Sequence, residues 1–480
     1  MIFVPKNSLI HNRKIKLIVW FMIISSSSLL VIIGNRINNC DMTYLGVLLL
    51  FLAFFAHYLR NIREDIIILF FNASIFLFLL GRYLVRMIRS LPMDASSDYI
   101  ILALNLVFVS LLTINIVYVF AGRFKKDTTS VKIADHARTG RVNFLINVGL
   151  ALSGICAIIA NIATYNYAAL NGYNALYLSD ASSAPIFIKV IADMLPFFVA
   201  LYLAKMPSKQ STYILFTFYM LLQVPLLMAG KRMPFIVAIL VWVSYVVLRN
   251  YKFAKGEKWI SRVEKITVAL AVPLIIIIIP LVGDIRSGGI SQGSAIERTL
   301  DSQGVTLDVV SFGIANQNVT PKSKYKFYTL APVLDYASTN FLTRKIFGKD
   351  RIPVQTKESA ELGVNYADTI SYLVLRRDLY LSGQGLGSSY IIETYIDFGI
   401  AGLVLYSAFL GLLFRWVLYG FGKNYLRTFF AILLMMSVYF LPRDTALGFV
   451  VSIFQLQTIL LIGIALLYSK FSDDCKKEYV

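Results

Sequence analysis

Apolar residues run in blocks close to bilayer length along most of this chain, with short polar and basic stretches between them. A helix that crosses a bilayer needs about 20 consecutive, mostly apolar residues. By that measure about twelve spans are predicted, at 17–34, 43–59, 66–84, 100–121, 143–164, 185–204, 211–229, 233–248, 266–282, 391–414, 427–441 and 446–468. The pattern predicts an all-α polytopic membrane protein, with a bundle of about nine spans over 1–282 and three more over 391–468. A short tail, 469–480, follows. The first block, Leu17–Gly34, has no small-residue cleavage site after it and is long enough to span, so it reads as an anchor.

One segment breaks the pattern. Residues 283–390 form a single large loop, too long for a structureless connection. Apolar residues return there at helical spacing, as in Leu300, Val305, Leu307, Val310 and Ile314. Short amphipathic helices are predicted near Ala295–Ile314, Thr329–Ile346 and Glu358–Leu375, lying over the bundle as a lid.

Composition supports the membrane reading: 58% of residues are hydrophobic. A net charge of +19 would point to nucleic acid in a soluble protein, but here the cations cluster between apolar blocks. That is the pattern that sets membrane topology, and it excludes nucleic acid as the partner. Membrane lipids are the expected contact of these loops. Basic groups before the first block and after the fourth, eighth and tenth fall on one side if both termini are cytoplasmic. The large loop then faces the opposite side. Arg82, Arg86 and Arg89, at the outer end of the third block, break the rule, which marks either a functional group or a misplaced block boundary. Cys40, Cys156 and Cys475 neither pair sensibly nor show metal-ligand spacing. His11, His57 and His136 all fall on the cytoplasmic side, which leaves the outer face without a histidine base or a histidine metal site. No metal or cofactor is expected, though substrate phosphates could recruit Mg²⁺.

Candidate chemistry gathers on the outer side. Glu393 and Asp397 are four residues apart, on one face of a helix that follows the glycine-rich run Gly383-Gln-Gly-Leu-Gly387. An acid at the mouth of a span is costly and needs a reason. Glu393 is the candidate base, and complementing the helix dipole is its bland alternative. Asp397 reads as structural, with an arginine as its expected partner. Gly385, Gly387 and Ser388 offer backbone N–H groups suited to an anion. The other reading is a tight loop that lets helices pack closely. Lys231 and Arg232, Arg286, and Arg443 end three different blocks at headgroup depth. Guanidinium matches phosphate in a two-pronged fork, so a converging set would grip a lipid diphosphate. Headgroup anchoring is the alternative. Gln303, in a polar turn of the loop, could bind sugar hydroxyls.

Two longer stretches carry a family resemblance. Asp301-Ser-Gln-Gly-Val-Thr-Leu-Asp-Val-Val310 resembles the SQGVS-type segment of the O-antigen polysaccharide polymerases, the Wzy proteins, with Thr306 where serine is expected. Gly385-Leu-Gly-Ser-Ser-Tyr-Ile-Ile-Glu393-Thr-Tyr395-Ile-Asp-Phe-Gly399 is similar to their GxGSSYxxExYxDFG segment. Weaker likenesses are Tyr177-Leu-Ser-Asp180, Leu203–Lys209, Gly230-Lys-Arg232 and Pro442-Arg443. The resemblance implies a GT-C-like glycosyltransferase of the bacterial inner membrane, working on its periplasmic face. It implies transfer of a growing glycan from undecaprenyl diphosphate to the non-reducing end of a lipid-linked repeat unit. Glu393, Arg286 and Arg443 would then be catalytic. Lys231, Arg232, Gln303, Gly385, Gly387, Ser388 and Tyr395 would bind substrate. A Wzz-like chain-length regulator and a Wzx-like flippase are the partners it suggests. An O-antigen ligase is the nearest rival, but that family typically uses a periplasmic histidine. A lipid-linked oligosaccharide flippase is the non-enzymatic alternative; two pseudo-repeated halves would be expected of it, and no internal repeat is visible.

Overall fold

In the computed structural model, which describes residues 6–123, 140–178, 184–252, 258–287, 293–348 and 350–477, every regular element is helical. Nine helices among the described residues are long and apolar enough to cross a membrane. They are Ile18–Arg36, Cys40–Arg60, Ile62–Ile88, Ser97–Gly122, Val142–Asn171, Ile186–Ala204, Lys209–Met228, Met233–Lys252 and Tyr390–Gly420. These match nine of the twelve expected blocks. The ninth block lies in the helix Arg262–Ser287. The eleventh is the shorter helix Tyr425–Val438, whose 14 residues reach about 21 Å at 1.5 Å per residue. The twelfth is broken into Gly448–Ile453 and Leu456–Lys477. The basic stretch 125–138, Lys255, Ser179 and Asp180 lie outside the described residues.

Polar side chains tie the bundle together where hydrophobicity cannot tell a helix from a lipid tail. Tyr58 donates to Asn115 Oδ1 at 2.8 Å, and Asn72 bonds the same amide at 3.1 Å. Ser110 joins Tyr390 and Ser407 at 2.8 and 2.9 Å. At the other end of these helices Arg415 stacks over Tyr118, donates to its carbonyl at 2.7 Å and faces Asp65 at 3.7 Å.

The 283–390 segment differs most from expectation. Each expected amphipathic helix is two shorter ones: Ala295–Gln303 and Thr306–Ala315, Ala331–Thr339 and Phe341–Phe347, Lys357–Glu361 and Tyr366–Val374. Polar caps explain the second and third breaks, since Asn340 and Asn365 each accept from a backbone N–H at the start of a new helix. Thr306–Ala315 is not a cover. It packs against the Ser97–Arg123 and Tyr390–Gly420 helices, with Leu307, Val309 and Val310 fully buried. Its sequence is mostly apolar all round, with Asp308 its one charge, which suits a core helix better than a surface one.

A π-helical turn, Phe76–Leu80, precedes the short helix Gly81–Ile88, which carries Arg82 and Arg86 and is followed by Arg89 as its C-cap. Those arginines, anomalous by the charge rule, are here neutralised by acids. Arg82 pairs with Asp94 at 2.6 Å and Asp308 at 2.9 Å. Arg86 pairs with Asp94 at 2.8 Å and Asp301 at 3.2 Å, and Arg89 grips Glu297 through two bonds of 3.1 and 2.7 Å. Burial alone would raise Asp94, but Arg86 and Arg82 hold its carboxyl below the usual range. The Ser294 backbone N–H and then Arg89 bring Glu297 down to about 2. Burial raises Asp308 to about 6 despite Arg82. The three cations therefore dock the start of the large segment onto the bundle.

Gly304 completes that dock. A Cβ there would lie 2.5 Å from Arg82 N and 2.7 Å from the Leu300 carbonyl oxygen. Both are backbone atoms and cannot yield. Gly304→Ala is therefore expected to cost about 1–3 kcal/mol by overpacking. A drop in the unfolding temperature of the detergent-solubilised protein would show it, and an unchanged temperature would refute the close contact.

Candidate functional site

Glu393 stands one turn into the Tyr390–Gly420 helix, which begins with Ser389 as its N-cap. Its side chain is 0% exposed. Ser388 Oγ donates to its Oε1 at 2.6 Å, and the backbone N–H of Ala446 donates to its Oε2 at 2.8 Å. The carboxylate thus joins the glycine loop to the Pro442–Ala446 turn. Tyr406 holds the same turn by donating to the Ala446 carbonyl. The glycine loop and the Pro442–Ala446 turn meet here, but Glu393 itself presents no surface to a substrate.

Arg443 occupies the turn that Glu393 anchors. Its guanidinium donates to the Gln303 carbonyl at 3.2 Å and approaches Gln303 Oε1 at 3.5 Å, with Phe78 beneath it. Arg443 and Gln303, 140 positions apart in the chain, are therefore neighbours. The arginine dock sits on the same segment, because Arg82 donates to the Asp301 carbonyl at 3.1 Å. Asp444, next to Arg443, accepts from Thr445 N–H at 2.7 Å and keeps partial exposure. Burial by the surrounding protein raises its carboxyl to about 6.

The other expected residues are placed as follows. Arg232 borders Gly283, whose Cβ would lie 3.9 Å from the guanidinium. Lys231 sits over the Tyr177 ring at 5.9 Å. Burial, and then the charge of Lys189, lower its ammonium pKa against the pull of Asp193. Arg286 lies in the Arg262–Ser287 helix, and its side chain is outside the described residues. Of the three expected arginines, the structure links Arg443 to the Glu393 carboxylate through one turn.

The glycine loop is a packed connector. Leu386 N–H donates to Ser371 Oγ at 2.9 Å, and Gly385 lies against the Gln355 amide. Gly387 has φ +84, with open space where a side chain would be. Ser388 is buried and engaged with Glu393. Tyr395 is half-buried against the core. Asp397 is structural, but its partner is not an arginine. It accepts from the backbone N–H groups of Tyr328 and Thr329 at 3.0 and 2.6 Å and from the Thr329 hydroxyl at 2.6 Å. Two residues on, Gly399 takes φ +64 and kinks the helix, a conformation that favours glycine.

Sequence reasoning missed the roles of Asp94, Asp301 and Asp308. The signal was present as excess arginine in a short outer loop. What was lacking was any means of telling which distant acids would answer it.

A family model for the O-antigen polysaccharide polymerase Wzy matches residues 15–473. The chain belongs to this family. Membership brings an O-antigen polymerase role and, with it, a lipid-linked oligosaccharide as the general substrate. No curated protein and no solved structure matches significantly. Both Wzy-like stretches converge on one place: the Gln303 turn meets Arg443, and the Glu393 helix holds the turn that carries Arg443. Among the described residues no group of three or more His, Cys, Asp and Glu is arranged to hold a metal ion.

Proposed function

We propose that this Wzy-family protein polymerises O-antigen repeat units in the bacterial inner membrane, with both termini cytoplasmic and its site on the periplasmic face. The observation that carries this reading is the meeting of Arg443 with Gln303 beside the Glu393-anchored turn. The donor is a glycan on undecaprenyl diphosphate, and the acceptor is the non-reducing end of a second lipid-linked repeat unit. The diphosphate leaves as negative charge grows on it, and a fixed guanidinium stabilises such charge. Arg443 takes that role, with Arg232 and Arg286 as further cations on the same face. Glu393 is a positioning residue, because a fully enclosed carboxylate with both oxygens engaged has no path to an attacking hydroxyl. Lys231, Gly385, Gly387 and Tyr395 line the approach. A Wzx-like flippase delivers the repeat unit, and a Wzz-like regulator sets chain length.

The test is the lipopolysaccharide ladder of a strain lacking the gene. The expected profile is core carrying one repeat unit, restored to a ladder by the wild-type gene but not by Arg443→Ala at equal protein level. Loss of every repeat unit would point to ligation or flipping instead. An unchanged ladder would overturn the polymerase reading.

A further inference from the structure

The short helix Phe341–Phe347, in the large outer segment, holds its apolar side chains in the open. Phe341, Leu342, Ile346 and Phe347 are between 45% and 70% exposed. Leu342 and Ile346, four apart, share one side of the helix, and Phe341 and Phe347 leave from others. A single exposed hydrophobic residue is ordinary, but a contiguous set marks an interaction site. A helix that is apolar on several sides belongs in an apolar medium.

The two cations of this helix suit the polar edge of such a medium. Arg344 and Lys345 join no ion pair among the described residues. Arg344 lines a cavity of about 640 Å³ together with Asp193, Asp335 and Arg351. Asp335 is already engaged, by the Tyr325 hydroxyl at 2.8 Å and by Arg351 at 3.7 Å.

The level of the helix relative to a bilayer follows from two ties. From its kink at Gly399 to its inner end, the helix Tyr390–Gly420 runs about 32 Å at 1.5 Å per residue. A hydrocarbon core is about 30 Å thick, so Phe398 stands at its outer edge. The Phe327 ring lies 4.8 Å from the Phe398 ring, and Asp397 accepts from the Tyr328 and Thr329 N–H groups. The chain continues into Ala331–Thr339, which packs against Gly448–Ile453. There the Tyr336 hydroxyl accepts from Leu456 N–H at 2.6 Å, where the last apolar helix begins. Asn340 donates its backbone N–H to the Tyr336 carbonyl at 3.0 Å and caps the Phe341–Phe347 helix. The exposed helix is thus held beside the outer ends of two spans.

We propose that Phe341–Phe347 is an interfacial anchor lying in the outer leaflet of the membrane. Its four apolar side chains enter the acyl region, and Arg344 and Lys345 meet lipid phosphates. Both cations reach the headgroups from that depth, because their stems lie along apolar surface while the charged ends stay in the polar layer. The bilayer is the occupant because it already meets Phe398 and Phe454, 45% and 50% exposed, beside the two ties. The large segment is then fastened to the membrane by its own surface as well as by the arginine dock.

The experiment places the full chain in nanodiscs of phosphatidylethanolamine and phosphatidylglycerol. Cys40, Cys156 and Cys475 are replaced by alanine, and one nitroxide label is attached at Ile346→Cys or at Phe347→Cys. Leu405→Cys, at a position 72% exposed in the Tyr390–Gly420 span, is the reference inside the bilayer. Power saturation compares relaxation by oxygen, which concentrates in lipid, with relaxation by a nickel chelate, which stays in water. Oxygen is expected to dominate at both positions, as it does at Leu405→Cys. Matching elution profiles show that each labelled chain folds. Dominance of the nickel chelate would place the helix in water and overturn the anchor. Weak relaxation by both reagents would place the helix under protein, a second copy of this chain, and would overturn it as well.

Discussion

Glu393→Gln is expected to keep most of the polymer ladder, whereas Glu393→Ala is expected to abolish it. Glutamine retains an oxygen for the Ala446 N–H, and its amide can donate to Ser388 Oγ, which is free to rotate and accept. Alanine leaves both partners buried without a bond, at about 1–3 kcal/mol apiece. It also frees the turn that holds Arg443. Movement of about 1 Å in a positioned group can cost on the order of 100-fold in rate. If Glu393 were the base, glutamine would be as damaging as alanine. Ladder profiles of the two variants at equal protein level separate these outcomes, and equal loss in both would return Glu393 to the role of base.

The second large effect is expected at the arginine dock. Arg82 is 7% exposed and Asp308 is 1% exposed, so removing Arg82 leaves the buried Asp308 carboxylate without its cation. Arg82→Ala is expected to destabilise the protein by about 3–5 kcal/mol. The paired replacement Arg82→Met/Asp308→Leu is expected to recover most of that loss, since an apolar pair of similar volume avoids the desolvation cost. Thermal unfolding in detergent measures both. A double variant no better than the single would mean that Arg82 acts through Asp94 and the Asp301 carbonyl instead. Because this dock places Gln303 against Arg443, ladder length should fall with stability across the series.

The helical spans were legible because a bilayer imposes one length and one composition. Breaks within them were not. The interruption at Gly399 is one residue with positive φ, and the break at Phe454 is marked in the sequence only by Gln455 and Gln457 within a run that still reads as one membrane-length block. The 283–390 segment was legible as a break in the membrane-length blocks with helical content of its own. Its burial was misjudged, because amphipathic spacing in 300–314 looks the same whether a helix lies on the bundle or is wedged into it.

The candidate site divides along the same line. Glu393, Arg443 and Gln303 could each be singled out as residues too polar or too charged for their surroundings. Their pairing could not, since Arg443 reaches Gln303 across 140 positions and Arg82 reaches Asp301 across 219. Asp444 was visible only as the neighbour of an arginine. Its partial burial arises from packing between helices far apart in the chain. Sequence by itself determined the class of protein, the number of apolar blocks to within a few, and the family, because these depend on local composition and short motifs. Tertiary structure alone decided which carboxylate is sealed and which arginine meets the loop, because burial and charge pairing depend on packing between distant segments.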